Sequence, residues 1–388
     1  MIKKTTEKKL LVLFEIGSDY MISELVDSLA KQYPFVKTYT FHGLFKNYVP
    51  GGLNLTRLIN LFYMYISLPF VLLYLQPNNI LVRTSPPGFQ CWTVFLAKAI
   101  NCKVGCWLMD YHPEIEARML DRFSCLHFLS MGLRFVDHLF MRKMHFIIAI
   151  DHSMNDLLKL RFKSVPIILH PTWIEKKTSK YIMEYPYNTE ICRKGEVRII
   201  YAGNLGSLHP LETFEKLIRV LKNKAKVVIY TVGLSSEGLE RFKRTTTNLG
   251  VESIHVKKIK DFYGLGRFIH ENFLNFGLIT LQDWAGGLVS PSKYNGYISF
   301  GLPLLYIGPV GTNSFEICSK YKAGLALPNS ASTTSLNRAA RTLADREWAL
   351  AASKNTAKAR AYFERHNADS LAHNLCLNFN WRLVHKKN

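Results

Sequence analysis

Short apolar runs alternate with amphipathic stretches along the first half of the chain. The apolar runs predict five β-strands, at Leu10–Ile16, Val36–Thr40, Ile80–Thr84, Lys103–Met109 and Phe146–Ile150. The stretches between them predict helices, including Ser23–Gln32, Gln90–Ile100 and Ser153–Leu160. Because strands alternate with helices, the pattern indicates a parallel sheet with helices on both faces.

The same alternation begins again near residue 196. It predicts strands at Val197–Tyr201, Lys226–Thr231, Ser253–His255, Phe276–Thr280 and Leu304–Ile307. It predicts helices at about 211–222, 235–249 and 292–300, and two more within Ser335–Asn367. We therefore predict an α/β fold of two doubly wound, Rossmann-like domains facing a cleft, with ligands at the carboxyl ends of the strands.

The boundaries of these domains follow from length and from one stretch without periodicity. The chain has 388 residues, which is enough for two domains. Residues 171–195 contain two prolines and several charges and show little periodicity. We predict an N-terminal domain of residues 1–172, a linker of residues 173–195 and a C-terminal domain of residues 196–365.

Composition and charge narrow the class of protein. Hydrophobic residues make up 48% of the chain, which argues against disorder. The net charge of +21 arises from 50 Lys and Arg against 29 Asp and Glu, and it implies a polyanionic partner. No zinc-finger spacing or compact basic helix is present, so nucleic acid is not expected. An anionic membrane surface together with a diphosphate substrate explains the charge better.

Cysteine spacing and the N-terminus indicate an intracellular protein without a resident cofactor. The seven cysteines form no Cys-x-x-Cys pair and are expected to be free thiols in a reducing cytoplasm. Leu10–Ile16 is short for a signal sequence and is interpreted as the first strand. No Asp-x-Asp triplet and no P-loop occur. No metal or other cofactor is therefore expected.

Three segments at predicted strand ends carry the candidate chemistry. Ser290-Pro291-Ser292-Lys293 places one cation and two hydroxyls before a predicted helix, an arrangement that suits a phosphate. The segment Tyr201-Ala202-Gly203-Asn204-Leu205-Gly206 follows a strand, and its glycines allow backbone N–H groups to approach an anion. Asp110-Tyr111-His112-Pro113-Glu114 follows another strand and carries three titratable groups.

In their order along the chain, these segments resemble the GT-B glycosyltransferases, especially family 4 enzymes that build bacterial surface polysaccharides. The resemblance covers about residues 10–365 and includes the Gly301-Leu302-Pro303 that follows the predicted helix. It implies a nucleotide-sugar donor, most simply UDP-linked, and a lipid-linked glycan acceptor. It also implies that residues 366–388 return to the N-terminal domain.

The resemblance assigns roles to the residues of each segment. Donor-binding residues would be Gly203, Asn204, Gly206, Ser290, Pro291, Ser292 and Lys293. Lys293 would stabilise the charge that grows on the diphosphate as the sugar leaves. On the acceptor side, Asp110 is the first catalytic candidate, with Glu114 and His112 beside it. Gly17, Ser18 and Ser85 would line the acceptor side of the cleft. An N-cap Asp with a first-turn Glu, and ordinary turns elsewhere, are the structural alternatives.

The sequence departs from the family at two positions. Many family 4 enzymes carry two glutamates with seven residues between them, and Leu288 and Gly296 occupy those positions here. The later glutamate usually holds the ribose of the donor, so another group must do so in this chain. Glu316 is a candidate by position alone.

Leu58–Gln76 is a stretch of nineteen residues without a charge, close to the length that spans a bilayer. Pro69 interrupts it and a predicted strand follows directly. Three interpretations remain open: a spanning helix, a helix lying in the membrane interface, and a core helix. Basic and apolar residues are also mixed between Arg118 and Lys143, which suits either a membrane face or an ordinary amphipathic helix.

The sequence therefore predicts a GT-B glycosyltransferase, peripheral on the cytoplasmic face of the plasma membrane. It would transfer a sugar to a hydroxyl of a lipid-linked glycan in surface polysaccharide synthesis, with retention of configuration. The alternatives are a non-catalytic GT-B-like scaffold of a glycan-assembly complex and a sugar-nucleotide epimerase of the same shape.

Overall fold

The structure is a computed structural model that describes residues 7–15, 19–44, 55–84, 88–176 and 195–381. It divides into two compact units. The first unit comprises Met1–Pro171, Gly287–Val289 and His366–Asn388, and the second comprises Thr172–Gly286 and Ser290–Arg365.

The first unit contains a six-stranded parallel sheet in the order β2-β1-β3-β4-β5-β6. Its strands are β1 Lys8–Phe14, β2 Val36–His42, β3 Asn79–Arg83, β4 Lys103–Leu108, β5 Phe146–Ala149 and β6 Ile167–Leu169. Its helices are Tyr20–Gln32, Leu55–Leu75, Phe89–Ala99, Glu114–Leu120, His127–Met141, His152–Arg161 and Ala368–Asn378.

The second unit repeats this architecture, in the strand order β12-β11-β10-β7-β8-β9 with parallel pairing. Its strands are β7 Glu196–Ala202, β8 Lys226–Val232, β9 Glu252–Val256, β10 Phe276–Thr280, β11 Leu304–Ile307 and β12 Gly324–Leu327. Its helices are Glu212–Leu221, Ser236–Leu249, Phe262–Glu271, Lys293–Ser299, Asn313–Ser319, Thr333–Ala344 and Arg346–Phe363.

Both sheets form around strands that contain long apolar runs. All five residues of β10 and the last five of β1 are buried, as expected for parallel strands that helices cover on both faces. Two six-stranded parallel sheets flanked by helices confirm the predicted α/β fold of two Rossmann-like domains.

The order of the strands locates the ligand-binding edge of each sheet. In the first sheet, the direction of winding reverses between β1 and β3, and in the second it reverses between β7 and β10. Doubly wound sheets bind ligands at the carboxyl ends of the strands at such a reversal. The segments that follow β7 and β10 in the second unit, and β1, β3 and β4 in the first, are therefore where a site is expected.

The helix Ala368–Asn378 belongs to the first unit, although it follows the second unit in the chain. It packs on the helix Tyr20–Gln32, where the hydroxyl of Ser28 donates a 2.6 Å hydrogen bond to Asp369. Asn367 caps the helix, with its side chain accepting from the backbone N–H of Ser370 and the Ser370 hydroxyl accepting from the Asn367 N–H.

Candidate functional site

A glycine loop follows β7 at the reversal point of the second sheet. Gly203 has a φ of +93°, which favours glycine over residues with a side chain. Its N–H donates to the carbonyl of Val232 at 2.8 Å, so the loop begins directly at the sheet edge. A Cβ at this position would lie 3.1 Å from Cε of Lys293. Gly203 therefore leaves the space in which the lysine side chain lies.

The ammonium group of Lys293 lies on this loop. Its Nζ donates to the Tyr201 hydroxyl at 2.8 Å and to the carbonyl of Asn204 at 3.1 Å. It also lies 4.4 Å from the centre of the Tyr201 ring, in cation–π geometry. The Tyr201 hydroxyl in turn donates to the Asn204 carbonyl at 2.8 Å. The structure thus brings together Lys293 and Asn204, which the sequence placed in two separate segments.

Burial lowers the pKa of Lys293 to about 7, because the surrounding protein replaces the water that stabilises an ammonium ion. The nearby imidazole of His209 responds to the same environment. Burial, followed by the charge of Lys293, lowers the His209 pKa to about 4, and its Nδ1 lies 2.5 Å from the carbonyl of Thr280. At neutral pH His209 is therefore uncharged and links the loop after β7 to the end of β10.

The other residues of the predicted donor segments differ in their exposure. Pro291 is buried, Ser290 is half-buried and Ser292 is exposed. Ser292 directly precedes the helix Lys293–Ser299 and makes no side-chain capping bond to it. Asn204 is exposed and Gly206 is half-buried. The loop therefore presents polar groups to solvent around the partly buried lysine.

Arg241 is a second cation at this loop, and the sequence analysis did not identify it. Its Nη1 donates to the carbonyl of Gly206 at 3.4 Å, and its charge contributes to the lowered pKa of His209. It lies on the helix Ser236–Leu249, whose Gly238 approaches Leu205 of the loop. Nothing in the local sequence distinguishes this arginine from its exposed neighbours, since only folding brings its helix beside the loop.

In the first unit, Asp110 and His112 follow β4 near the reversal of the sheet. Burial raises the pKa of Asp110, and the charges of His112 and Arg83 oppose this rise. Nδ1 of His112 lies 2.5 Å from Oε1 of Glu116. Burial lowers the pKa of His112, but the hydrogen bond and the charge of Glu116 outweigh burial, so that the net effect is a raised pKa.

Glu116 is thus a second residue that the sequence analysis missed. It lies in the first turn of the helix Glu114–Leu120, four positions after His112. The available signal was this four-residue spacing, which aligns two side chains once a helical turn forms. A carboxylate that holds one imidazole nitrogen orients the other, as in the base of a nucleophilic triad.

Glu114 is held differently from its neighbours. Its carboxylate is buried and forms ion pairs with Arg118 at 3.2 Å, Arg134 at 3.2 Å and Arg161 at 2.7 Å. Burial raises its pKa, but Arg161 and the other arginines outweigh burial and the pKa is lowered overall. The geometry shows Glu114 joining three helices through its two oxygens.

Two residues from neighbouring strand ends complete this edge of the first sheet. Asp19 caps the helix Tyr20–Gln32 and pairs with Arg83, whose guanidinium lies 5.1 Å from the Trp107 ring. The predicted acceptor-side residues Gly17, Ser18 and Ser85 lie outside the described residues.

The positions that depart from the family pattern have ordinary surroundings. Leu288 is fully buried, and Gly296 faces Phe262 and Leu265 with space for a small side chain. Glu316 lies in the first turn of the helix Asn313–Ser319. Burial raises the pKa values of Tyr321 and Tyr362, and the charge of Glu316 adds to both increases. Among the described residues, no group of three His, Cys, Asp or Glu side chains is arranged to hold a metal ion.

Most of the chain is similar in structure to solved glycosyltransferases. WaaG, a glycosyltransferase involved in lipopolysaccharide biosynthesis, aligns over 96% of this chain and 100% of its own with a TM-score of 0.64 and 12% identity. Sucrose-phosphate synthase from Thermosynechococcus elongatus aligns over 96% and 98% with a TM-score of 0.61 and 12% identity. Anabaena HepE in complex with UDP aligns over 96% and 99% with a TM-score of 0.55 and 9% identity.

No protein-family model and no curated protein sequence matches the chain. The structural similarity therefore defines the fold: this chain has the GT-B glycosyltransferase fold, as the resemblance of its segments implied.

Proposed function

We propose that this protein is a glycosyltransferase that moves a sugar from a nucleotide-sugar, most simply UDP-linked, to an acceptor hydroxyl. The observation that carries the proposal is the Lys293 ammonium held on the glycine loop after β7. The similarity of the fold to HepE, which was crystallised with UDP and glucose, supports the choice of donor.

The donor would bind to the second unit with its diphosphate on Lys293 and the Gly203–Gly206 loop. Arg241 supplies a second cation at the Gly206 end of that loop. A leaving nucleoside diphosphate gains negative charge in the transition state, and cations already in place stabilise that charge without further rearrangement. This is the step for which a partly buried lysine is suited, since loss of water strengthens its interaction with phosphate.

The acceptor would bind to the first unit, at the ends of β3 and β4. The proton of the acceptor hydroxyl has to leave as the new bond to the sugar forms. Asp110 and the His112–Glu116 pair are the groups that could accept a hydrogen bond from that hydroxyl. We assign Glu114 a positioning role, because its three arginines occupy its carboxylate.

The finer assignments are also part of the proposal. We propose retention of the donor's anomeric configuration, since trehalose-6-phosphate synthase, which has a similar fold, is described as transferring with retention. We propose a lipid-linked glycan as the acceptor and a place on the inner face of the plasma membrane, in surface polysaccharide synthesis. The net charge of +21 and the fold shared with WaaG support this setting.

The test is a thermal-shift measurement with UDP, GDP and their sugar conjugates on the unmodified protein and on Lys293→Ala. A ligand at a hundred times its Kd stabilises the native state by about 2.7 kcal/mol. For a domain of this size that corresponds to a rise in Tm of about 5–10 °C. We expect one nucleotide to give such a rise, and we expect Lys293→Ala to abolish it.

The matched control is Lys320→Ala, which removes another lysine of the second unit that lies over a tyrosine ring, 5.6 Å from the centre of Tyr321. Its nucleotide-induced shift should equal that of the unmodified protein. If no nucleotide raises the Tm, the donor assignment is wrong and the non-catalytic scaffold becomes the better interpretation. If nucleotide binds but no sugar is transferred or epimerised, the scaffold is again favoured.

A further inference from the structure

The helix Leu55–Leu75 in the first unit is long and apolar enough to cross a membrane, by length and composition. Its buried residues lie four positions apart, at Asn60, Met64, Leu68 and Leu72. This spacing places them in one narrow stripe along the helix. The helix therefore packs on the rest of the unit along most of its length. A helix that spanned a membrane would lose these contacts.

The opposite face of this helix is apolar and exposed. The exposed residues are Leu55, Leu58, Ile59, Phe62, Ile66, Phe70, Leu73 and Tyr74. Phe62 and Phe70 are 69% and 68% exposed, respectively. Large apolar patches on a soluble protein mark an interaction site. By the same measure, the described part of the second unit exposes only Ile254 and Val310 among its large apolar side chains.

Two further helices extend this face. The Trp92 indole of the helix Phe89–Ala99 donates to the Tyr65 carbonyl at 3.1 Å, and its ring stacks on Phe95. Phe95 is 55% exposed and makes an edge contact with Phe140 of the helix His127–Met141. The latter helix exposes Phe128, Leu129, Met131, Phe135 and Val136. We call the exposed apolar side chains of the three helices the apolar surface.

The exposed charges on the three helices and directly after them are mainly cationic, and the exposed Asp121 that precedes the helix His127–Met141 is paired with Arg134 of that helix. Lys98, Arg142 and Lys143 are exposed on or next to the helices, and Nζ of Lys143 lies 5.9 Å from the centre of the Phe140 ring. The only carboxyl side chain within the three helices is Asp137, which is buried and accepts a hydrogen bond from Tyr111 at 2.8 Å. An apolar face with a cationic border matches the interface of an anionic lipid bilayer.

We propose that the apolar surface docks the first unit on anionic phospholipid, with the three helices lying in the plane of the membrane interface. Phe62, Phe70, Phe128 and Phe135 would enter the acyl region, while the cations contact headgroups. This docking deepens the proposed function by naming the membrane partner. Only the purpose of the docking rests on the proposed function.

A second copy of this chain is the main alternative occupant, and charge argues against it. A twofold contact presents the same patch from both subunits. It would therefore bring Lys98, Arg142 and Lys143 of one copy close to the same cations of the other copy. The three helices expose no carboxylate that would compensate the repulsion. Anionic headgroups supply the opposite charge that a second copy lacks.

The experiment is flotation with vesicles of phosphatidylcholine, with or without an equimolar amount of phosphatidylglycerol, in the absence of nucleotide. The unmodified protein should float with the anionic vesicles, and salt should weaken its binding. Phe62→Ser/Phe70→Ser and Phe128→Ser/Phe135→Ser should each bind at least about tenfold more weakly, since each pair removes two buried rings from the lipid. The control Leu160→Ser/Val310→Ser removes apolar side chains of similar exposure, 74% and 71%, and should bind normally.

The charge arm uses Lys98→Gln/Arg142→Gln/Lys143→Gln against Lys216→Gln/Arg219→Gln/Lys224→Gln, which neutralises three exposed cations of the second unit. A cation near an anionic membrane contributes about fivefold to binding, so the first triple variant should lose at least about tenfold and the control much less. Equal binding by variants and controls would overturn the proposal. So would light scattering that shows a dimer which Phe62→Ser/Phe70→Ser dissociates while vesicle binding is absent.

Folding and donor binding are checked separately. Each variant should retain its circular dichroism spectrum and the nucleotide-induced rise in Tm, because the substituted side chains are exposed and lie outside the donor loop. Loss of vesicle binding with normal nucleotide binding isolates the apolar surface. Vesicle binding without any nucleotide binding would support the surface and reject the donor assignment.

Discussion

Lys293 combines a positive charge with an environment that disfavours the charge. Its pKa is lowered to about 7 by burial, whereas that of an unfolded lysine is 10.5. Between these values the unfolded state binds more protons than the folded state, so this group makes folding stability rise with pH through that window. A bound diphosphate reverses the preference, because it favours the protonated amine.

Nucleotide affinity should therefore fall as the pH rises above about 7. Replacing Lys293 by arginine, which stays protonated, should remove that pH dependence even if the affinity itself changes. Isothermal titration calorimetry between pH 6 and pH 9 measures the affinity of UDP for the unmodified protein and for Lys293→Arg. This range extends about one unit below and about two units above the lowered pKa. The same pH slope in Lys293→Arg would show that another group titrates.

His112 owes its raised pKa to Glu116, against the effect of burial. We expect Glu116→Gln to lower the pKa of His112, because it removes the negative charge and keeps a side chain of similar size. The chemical shift of the imidazole Cε1 proton, followed by NMR across pH, measures this directly. As a control, His145 has a pKa lowered by burial and by Lys103, and its titration should not change. An unchanged His112 titration in Glu116→Gln would remove the basis for pairing these two residues.

At the scale of elements, Glu114 connects three helices. It lies with Arg118 on the helix Glu114–Leu120. Arg134 lies on the helix His127–Met141 and Arg161 ends the helix His152–Arg161. Because the Glu114 pKa is lowered on folding, its contribution to stability is present above an unfolded pKa of about 4.5 and is lost as pH falls through the folded pKa.

We expect Glu114→Gln to lower the free energy of unfolding by roughly 2–4 kcal/mol at neutral pH, because three arginines lose a buried partner. Urea denaturation measures the change. Glu364→Gln is the control, since Glu364 pairs with Arg360 across an exposed helical turn and should change stability by less than about 1 kcal/mol. A stable Glu114→Gln protein would mean that the carboxylate does not serve to join the helices, and a role toward the acceptor would then regain weight.

Most strands were predicted within two residues of their observed ends, because buried parallel strands appear as continuous apolar runs. Phe276–Thr280 and Leu304–Ile307 were predicted with the bounds that the structure shows. Ile167–Leu169 and Gly324–Leu327 were missed. Both are short strands at sheet edges, where one neighbour is absent and few residues pair, so their sequence signal is weak.

Helices were predicted less completely than strands. Phe262–Glu271 contains two glycines, which obscured its periodicity, and Asn313–Ser319 is only seven residues long. The sequence left three interpretations open for Leu58–Gln76, which overlaps the observed helix Leu55–Leu75, because nearly every position is apolar and periodicity cannot then identify a buried face. The observed stripe at four-residue spacing excludes an entirely buried core helix.

At the scale of the whole molecule, the distribution of charge and apolar exposure is uneven. The net charge of +21 is a property of the complete chain, whereas large exposed apolar side chains lie almost entirely on the described part of the first unit. Charge alone could not choose among nucleic acid, lipid and a phosphorylated substrate. The exposure of aromatic side chains beside cations favours lipid for the first unit, and the lysine on the glycine loop favours a diphosphate for the second.

The sequence by itself determined the two parallel sheets, since uninterrupted apolar runs at regular intervals can be buried only between layers of helices. It also identified the segments that follow the strands at each reversal, because turn-forming and charged residues interrupt the apolar pattern there. Tertiary structure alone decided which of those residues meet. Lys293 and Tyr201 are 92 positions apart, and Arg241 contacts Gly206 from the helix Ser236–Leu249. Such contacts, and the pKa values that follow from them, depend on strand order and helix packing, which bring together side chains that no local pattern relates.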